Sequence, residues 1–337
     1  ISLLEKEYTV LSYASEKFEI FHYECGLTSS IYKGLVISRN KSNACICTEC
    51  NPIGVQYSSI ESELRSFLNE HKIEYIKGDR TILNGLELDI YIPDYNIAIE
   101  VNGIYWHSEL YKDSKYHINK TLKCRDLGIE LLHIWEDDWK FKNTIIKSII
   151  LNKLKKITHR IYARKCVIRE VSAPEARHFL NSNHIQGFSS SSIKIGLYYF
   201  DELVSLMTFG YRYTNSKKEY ELIRFCNSVD YSVIGSASKL FKHFIKTFDI
   251  DEQIISYSDV SMFSGDMYKK LGFNKVSISR PNYFWVIDGI RKHRFNYNKQ
   301  KLIARGYDSN KTELEIMHEQ GYYRVFSCGQ EKWIFRI

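Results

Sequence analysis

The sequence predicts a multidomain α/β chain: a small metal-binding module, a mixed sheet flanked by helices, and a further α/β unit. Three observations carry that prediction. At 337 residues the chain exceeds one typical core, so two or more domains are expected. His22, Cys25, Cys45, Cys47 and Cys50 crowd into its first part. Beyond them, short alternating apolar runs interchange with segments of helical period.

Composition narrows the classes. Apolar residues make up 44% and aromatics 14%, enough for packed domains and unlike a disordered chain. No run of about 18 apolar residues is present, so no membrane span is expected. The start, Ile1-Ser2-Leu3-Leu4-Glu5-Lys6, lacks the basic segment and apolar core of a signal peptide. It also lacks an initiator Met, as expected of a fragment or a processed chain. Cys124, Cys166, Cys226 and Cys328 stand alone and read as buried hydrophobes in a reducing, intracellular compartment. The net charge of +7 permits a polyanionic partner without demanding one.

Residues 1–55 form the first module. His22-x2-Cys25 and Cys47-x2-Cys50 are paired ligands, each deliverable by one tight turn, and zinc takes four such N/S donors at tetrahedral corners. With no open position left, the expected role is structural. The Asn51-Pro52 turn resembles the end of a zinc knuckle, and Cys45 is either a substitute ligand or a bystander.

Residues 56–157 read as helix, strand, strand, helix, strand, helix. The first helix starts near Ser58-Ser59 and aligns Ile60, Leu64, Phe67 and Leu68 on one face. A hairpin follows, 86–93 and 97–107, with apolar residues alternating about Asp89 and Glu100. A polar helix over 115–127, an apolar strand over 129–135 and a basic helix to about Lys156 complete the domain. Two carboxylates on paired strands repel each other unless a divalent cation lies between them. Such a cation polarises a phosphodiester and activates water. Glu61 can add a ligand or hold a metal-bound water, and His107 can shuttle protons near neutrality.

These residues resemble the PD-(D/E)XK nuclease superfamily, in which an acid on one strand precedes an acid, a spacer and a lysine on the next. Here the tripeptide is Glu100-Val101-Asn102, so Asn102 stands at the lysine position. Lys120 or His107 must then supply the missing function. Within that superfamily the block Gly103-Ile104-Tyr105-Trp106-His107 is similar to very-short-patch-repair-like and phage homing endonucleases with an EDxHD-type motif. The stretch 116–121 and Gly128-Ile129 through Ile134-Trp135-Glu136-Asp137 fit as well. The resemblance implies Mg²⁺-dependent cleavage or nicking of double-stranded DNA, and a phage or mobile-element origin. The motif's final Asp is Asp113 or Asp137. Trp106 reads as a packing residue or a base-stacking wedge, and His133 as a satisfied core histidine.

Residues 158–337 are expected to be a GNAT-like α/β domain with a basic extension. Val233-Ile234-Gly235-Ser236-Ala237-Ser238 opening a helix reads as an anion site, and Met267-Tyr268-Lys269-Lys270-Leu271-Gly272-Phe273 resembles the closing helix–strand element of acyltransferases of that fold. Two basic stretches suit DNA phosphates: Lys153, Lys155, Lys156 and Arg160 within 139–169, and Arg291, Lys292, Arg294 and Lys299 among aromatics. The sequence reading is thus a site-specific DNA endonuclease of the homing type, acting as monomer or homodimer. A mismatch-repair or restriction-type nicking enzyme and a GNAT-like acyltransferase are its rivals.

Overall fold

The computed structural model describes residues 8–14, 17–41, 45–48, 50, 59–214, 217–250 and 253–337. The Asn51-Pro52 turn, the helix start at Ser58 and the module limit at 55/56 lie outside them. The protein is mixed α/β with several sheets, and it divides into two compact units, Ile1–Glu63 and Leu64–Ile337. Among the described residues no helix is long and apolar enough to cross a membrane.

The first unit is an antiparallel meander, β1 (Tyr8–Ala14), β2 (Lys17–His22) and β3 (Leu27–Tyr32), followed by α1 (Lys33–Lys41). Its core is small: Tyr8, Ile20, Ile31, Ile46 and Cys47. A segment of this size rarely holds its fold by apolar burial alone. Helix α2 (Ser59–Glu70) begins here, and the stripe Ile60, Leu64, Phe67 and Leu68 is buried as its spacing predicts.

The second unit opens with a four-stranded sheet in the order β4-β5-β6-β7: β4 (Ile76–Leu83), β5 (Leu86–Ile92), β6 (Ile97–Asn102) and β7 (Glu130–Trp135). Strand β4 has no counterpart in the sequence reading. It is an exposed edge carrying Lys77, Gly78, Asp79 and Arg80, so the alternation that marks a half-buried strand is missing. Strand β6 is buried along its whole length, between antiparallel β5 and parallel β7. Helix α3 (Tyr116–Asp126) links β6 to β7 and packs on β7; α4 (Glu136–Lys153) follows and kinks at Lys142.

The remainder holds β8 (Arg160–Tyr162), β9 (Val167–Glu170), α5 (Ala173–Asn183), β10 (Ile193–Tyr199), β11 (Glu202–Thr214), β12 (Lys217–Asn227), β13 (Ser232–Ile234) and α6 (Ser236–Thr247). Then come β14 (Gln253–Asp259), α7 (Asp266–Leu271), β15 (Asn274–Ile278), β16 (Tyr283–Ile287), β17 (Ile290–His293), α8 (Lys299–Ala304), α9 (Glu313–Glu319), β18 (Tyr323–Phe326) and β19 (Gln330–Arg336). A seven-stranded sheet runs β15-β19-β14-β12-β11-β10-β9, and β17-β16-β18 form a small separate sheet.

The domain limit expected at 157/158 falls inside this second unit, because late elements are bonded to the early sheet. Arg125 on α3 pairs with the buried Glu331 of β19 at 2.8 Å and donates to the carbonyl of Phe263 at 3.1 Å. Ile104 and Trp135 share a cluster with Val286 and Val325.

Candidate active site and metal cluster

The register Ile90↔Ile99 of β5 and β6 carries Asp89, one residue earlier, opposite Glu100, one residue later. Residues directly opposite in an antiparallel pair share a face. The Val101 amide donates to Asp89 Oδ2 at 2.7 Å. Burial, opposed by that hydrogen bond and by Lys120, raises the Asp89 carboxyl above its ordinary value. Burial and the Asp89 charge push Glu100 up as well, against the pull of the Lys120 ammonium. Glu87, two residues before Asp89 on the same face of β5, adds negative potential to both and is ion-paired with Arg80. The sequence reading missed Glu87, although its i, i+2 spacing from Asp89 was a usable signal.

Lys120 answers this surplus of negative charge. Its Nζ lies 2.5 Å from both Oε1 and Oε2 of Glu100, and both side chains are almost wholly buried. Burial alone would lower the lysine, but the Glu100 carboxylate outweighs it and holds the ammonium protonated. Asn102, at the position where a lysine would be usual, is fully buried and donates from Nδ2 to His133 Nδ1 at 3.2 Å. The ammonium beside the acid pair therefore comes from a helix rather than from the strand. The buried stripe of α3, His117, Lys120, Thr121 and Cys124, follows i, i+3, i+4, i+7.

Three histidines line the same helix–sheet interface. His133, opposite Glu100 in the β6–β7 register, is buried and bonded at both nitrogens, to Asn102 and to Thr121 Oγ1 at 2.8 Å. His117 sits edge-on to it and stacks on His107, centroids 5.1 Å apart. Nδ1 of His107 is buried without a hydrogen-bond partner. Burial, then Lys112 and Lys120, pushes His107 down to about 4, so at neutral pH it is a proton acceptor.

Burial, then Lys120 and His107, pushes His133 down to about 3. A histidine depressed in the fold takes up its proton mainly in the unfolded chain. Its stabilising share is therefore complete above pH 6.5 and is lost as pH falls from 6.5 toward 3. Chemical denaturation should accordingly show the wild type's advantage over His133→Gln shrinking by about 2 kcal/mol between pH 7.5 and pH 5. A constant difference would mean that His133 does not titrate in this way.

The loop after β6 is pinned at its far end. Glu109 accepts from the Arg324 backbone amide at 2.8 Å, from Arg324 Nε at 2.8 Å and from His318 Nε2 at 3.0 Å. On either side of this anchor in the chain, Tyr105, Trp106 and Tyr111 form an exposed aromatic cluster, with Trp106 64% accessible. Trp106 is thus no core residue. Asp113 is exposed and caps the Lys115 amide, whereas Asp137 is buried against Arg291. Glu61 lies in the first turn of α2, half-buried, within the first unit.

In that unit His22, Cys25, Cys47 and Cys50 offer ligand atoms all within 4.8 Å of one another, a group able to hold a metal such as zinc. A zinc–sulfur bond of 2.3 Å gives tetrahedral edges of about 3.8 Å between sulfurs and about 3.6 Å from nitrogen to sulfur. Cys25 and Cys47 sulfurs are 3.8 Å apart, and His22 Nδ1 is 3.2 Å from Cys25 and 3.4 Å from Cys50. Desolvation and the thiols of Cys25 and Cys47 push Cys50 up to about 12. Cys45 stands outside the group, its sulfur accepting from the Tyr8 hydroxyl at 3.4 Å.

The expected DNA-facing cations separate by environment. Lys153 pairs with Glu130 at 2.6 Å. Arg291 pairs with Asp137 at 2.8 Å and with Asp138, its guanidinium over Trp135. Both are thus committed within the chain. Lys155, Lys156, Arg160, Arg294 and Lys299 are exposed, and Lys292 is half-buried. The anion site expected at the start of α6 is covered: Ser236 is buried with its hydroxyl donated to Asn227, β13 pairs with β8, and Lys239 donates to the carbonyls of Ala163 and Cys166.

No protein-family model matches the chain, and no curated protein matches it. Among solved structures it is similar to the homing endonuclease I-Bth0305I catalytic domain, at 24% identity over 29% of this chain and 97% of that one, with a TM-score of 0.25. It is also similar to Arabidopsis thaliana Naa50 in complex with a bisubstrate analogue, at 16% identity over 34% of this chain and 87% of that one, TM-score 0.29. A Bacillus subtilis acetyltransferase in complex with CoA aligns at 13% identity over 51% of this chain and 99% of that one, TM-score 0.31.

Proposed function

We propose that the chain is a Mg²⁺-dependent DNA endonuclease whose catalytic sheet, β4 to β7, is of PD-(D/E)XK type, with the lysine of the motif relocated to α3. The observation that carries this reading is the Lys120 ammonium on Glu100, beside Asp89. An acid on each of two paired strands and a buried cation in contact with one of them form a constellation suited to a phosphodiester.

Asp89 and Glu100 offer hard oxygen donors of the kind Mg²⁺ prefers, and their mutual repulsion fits a divalent cation. When bound, the metal would supply charge stabilisation at the phosphate and a more acidic water. Asp89 and Glu100 would hold it. His107, uncharged at working pH, would accept a hydrogen bond from the attacking water. Lys120 carries the positive charge that a developing phosphorane needs nearby. The exposed Lys155, Lys156, Arg160, Arg294 and Lys299 would meet backbone phosphates, so binding should weaken steeply with salt.

Supercoiled plasmid incubated with Mg²⁺ tests the reading: nicked or linear product is expected, and its absence across plasmids of diverse sequence would sink it. Trp106, exposed and held by its neighbours, is proposed to stack on a base. Trp106→Ala should weaken duplex binding by about 1–3 kcal/mol in a fluorescence anisotropy titration. Unchanged affinity would remove Trp106 from the interface. Acyl transfer has less support, because Ser236 at the start of α6 is buried and bonded to Asn227, and segment 160–166 is bonded beside that turn. The residues from 158 onward are read as a GNAT-like scaffold serving DNA recognition.

A further inference from the structure

Lys120 does more than stand near the acid pair. Its ammonium contacts both oxygens of Glu100 at 2.5 Å, where neither group reaches water. A magnesium ligand must bring an oxygen to about 2.0–2.1 Å, within a near-octahedral shell. A carboxylate with an ammonium on both oxygens cannot offer that without setting two cations against each other in a poorly screened site. Asp89 differs, for only its Oδ2 is bonded, to the Val101 amide.

The four-carbon stem of Lys120 has rotatable bonds that the helix backbone carrying it lacks. Tyr116, one turn earlier on α3, is half-buried and carries Lys112 over its ring at 4.2 Å. Lys112, over the Tyr116 ring, and Lys120 both add positive potential at His107, whose own ring lies 6.1 Å from that of Tyr116. An anion arriving there meets positive charge, and a backbone phosphate is the anion that a DNA-cleaving site presents.

We propose that Lys120 occupies the cation's place in the DNA-free protein and is handed from Glu100 to a backbone phosphate when duplex binds. Metal and DNA then bind with positive linkage through this one side chain. The inference rests on the metal-site reading of Asp89 and Glu100 given above. By reciprocity, DNA tightens metal binding by the factor with which metal tightens DNA binding.

The test measures Mn²⁺ binding to the full chain, from the loss of the free-ion electron paramagnetic resonance signal, with and without a short synthetic duplex at low salt. Duplex alone supplies the background. Without duplex, Lys120→Met should bind Mn²⁺ about tenfold tighter than wild type or better. Duplex should tighten the wild type about tenfold or more, and Lys120→Met by less than about twofold. Lys120→Gln serves if the Met variant fails to fold. Wild-type affinity indifferent to duplex overturns the handover whatever the variants do, and so does an equal enhancement in the variant. Asp89→Asn separates this failure from that of the parent reading: if it binds Mn²⁺ as the wild type does, the metal site itself is misplaced.

Discussion

Asp89→Asn should lower plasmid cleavage by about 1000-fold or more while leaving the melting temperature unchanged or slightly raised. The catalytic half of that expectation follows from charge: one of two hard ligands loses its negative charge, and several kcal/mol of phosphate stabilisation go with it. The structural half follows from burial. Asp89 is an acid whose carboxyl is raised by desolvation, so the fold gains little from its charge. An asparagine oxygen can still accept the Val101 amide that Asp89 accepts at 2.7 Å. Cleavage rates and a thermal melt read the two halves apart. Intact cleavage would place the metal elsewhere, and a collapsed melt would make Asp89 a structural residue first.

Removing metal from the first unit should have the other large effect. One zinc per chain is expected by elemental analysis, and a strong chelator should unfold residues 1–63 while the second unit retains its own transition. Structural zinc contributes about 10 kcal/mol or more in comparable small modules. The core of this unit, centred on Ile20 and Ile31, is too small to replace that. Cys47→Ser, which removes a buried ligand, should show the same loss without chelator. Limited proteolysis reads the outcome directly, because a released module is cut rapidly whereas a metal-free but folded one survives. Survival would reassign the four ligands to packing.

The ease with which these features are read from sequence follows the range of the interactions behind them. Alternation around Asp89 and Glu100 is local, and so are the paired spacings of His22, Cys25, Cys47 and Cys50. Lys120 is different. Its position opposite Glu100 depends on how α3 lies on β7, which no spacing records, although the stripe from His117 to Cys124 shows which side of the helix is buried. Charge counting overreached for the same reason. Lys153 and Arg291 look like free cations until Glu130 and Asp137 are brought beside them by the fold. The start of α6 is legible as an anion-binding turn, but the strand pairing that covers it joins residues 160–162 to 232–234, distant in the chain. Strand β4 was hidden by its own exposure, since an edge washed on both sides has no apolar rhythm.

The pairing of Arg125 with Glu331 bears on the order in which this protein comes into being. The partners are 206 positions apart, and Arg125 lies on the same helix as Lys120. At typical elongation rates a ribosome needs about 10–40 s to cover that interval. Throughout it, the nascent helix bearing Lys120 lacks a strand that fixes it, and the loop bearing Trp106 lacks the Arg324 that holds it through Glu109. An incomplete product therefore carries the acids without their finished surroundings. On the proposed reading, the helix that carries Lys120 would gain its Arg125–Glu331 anchor only once Glu331 had been made.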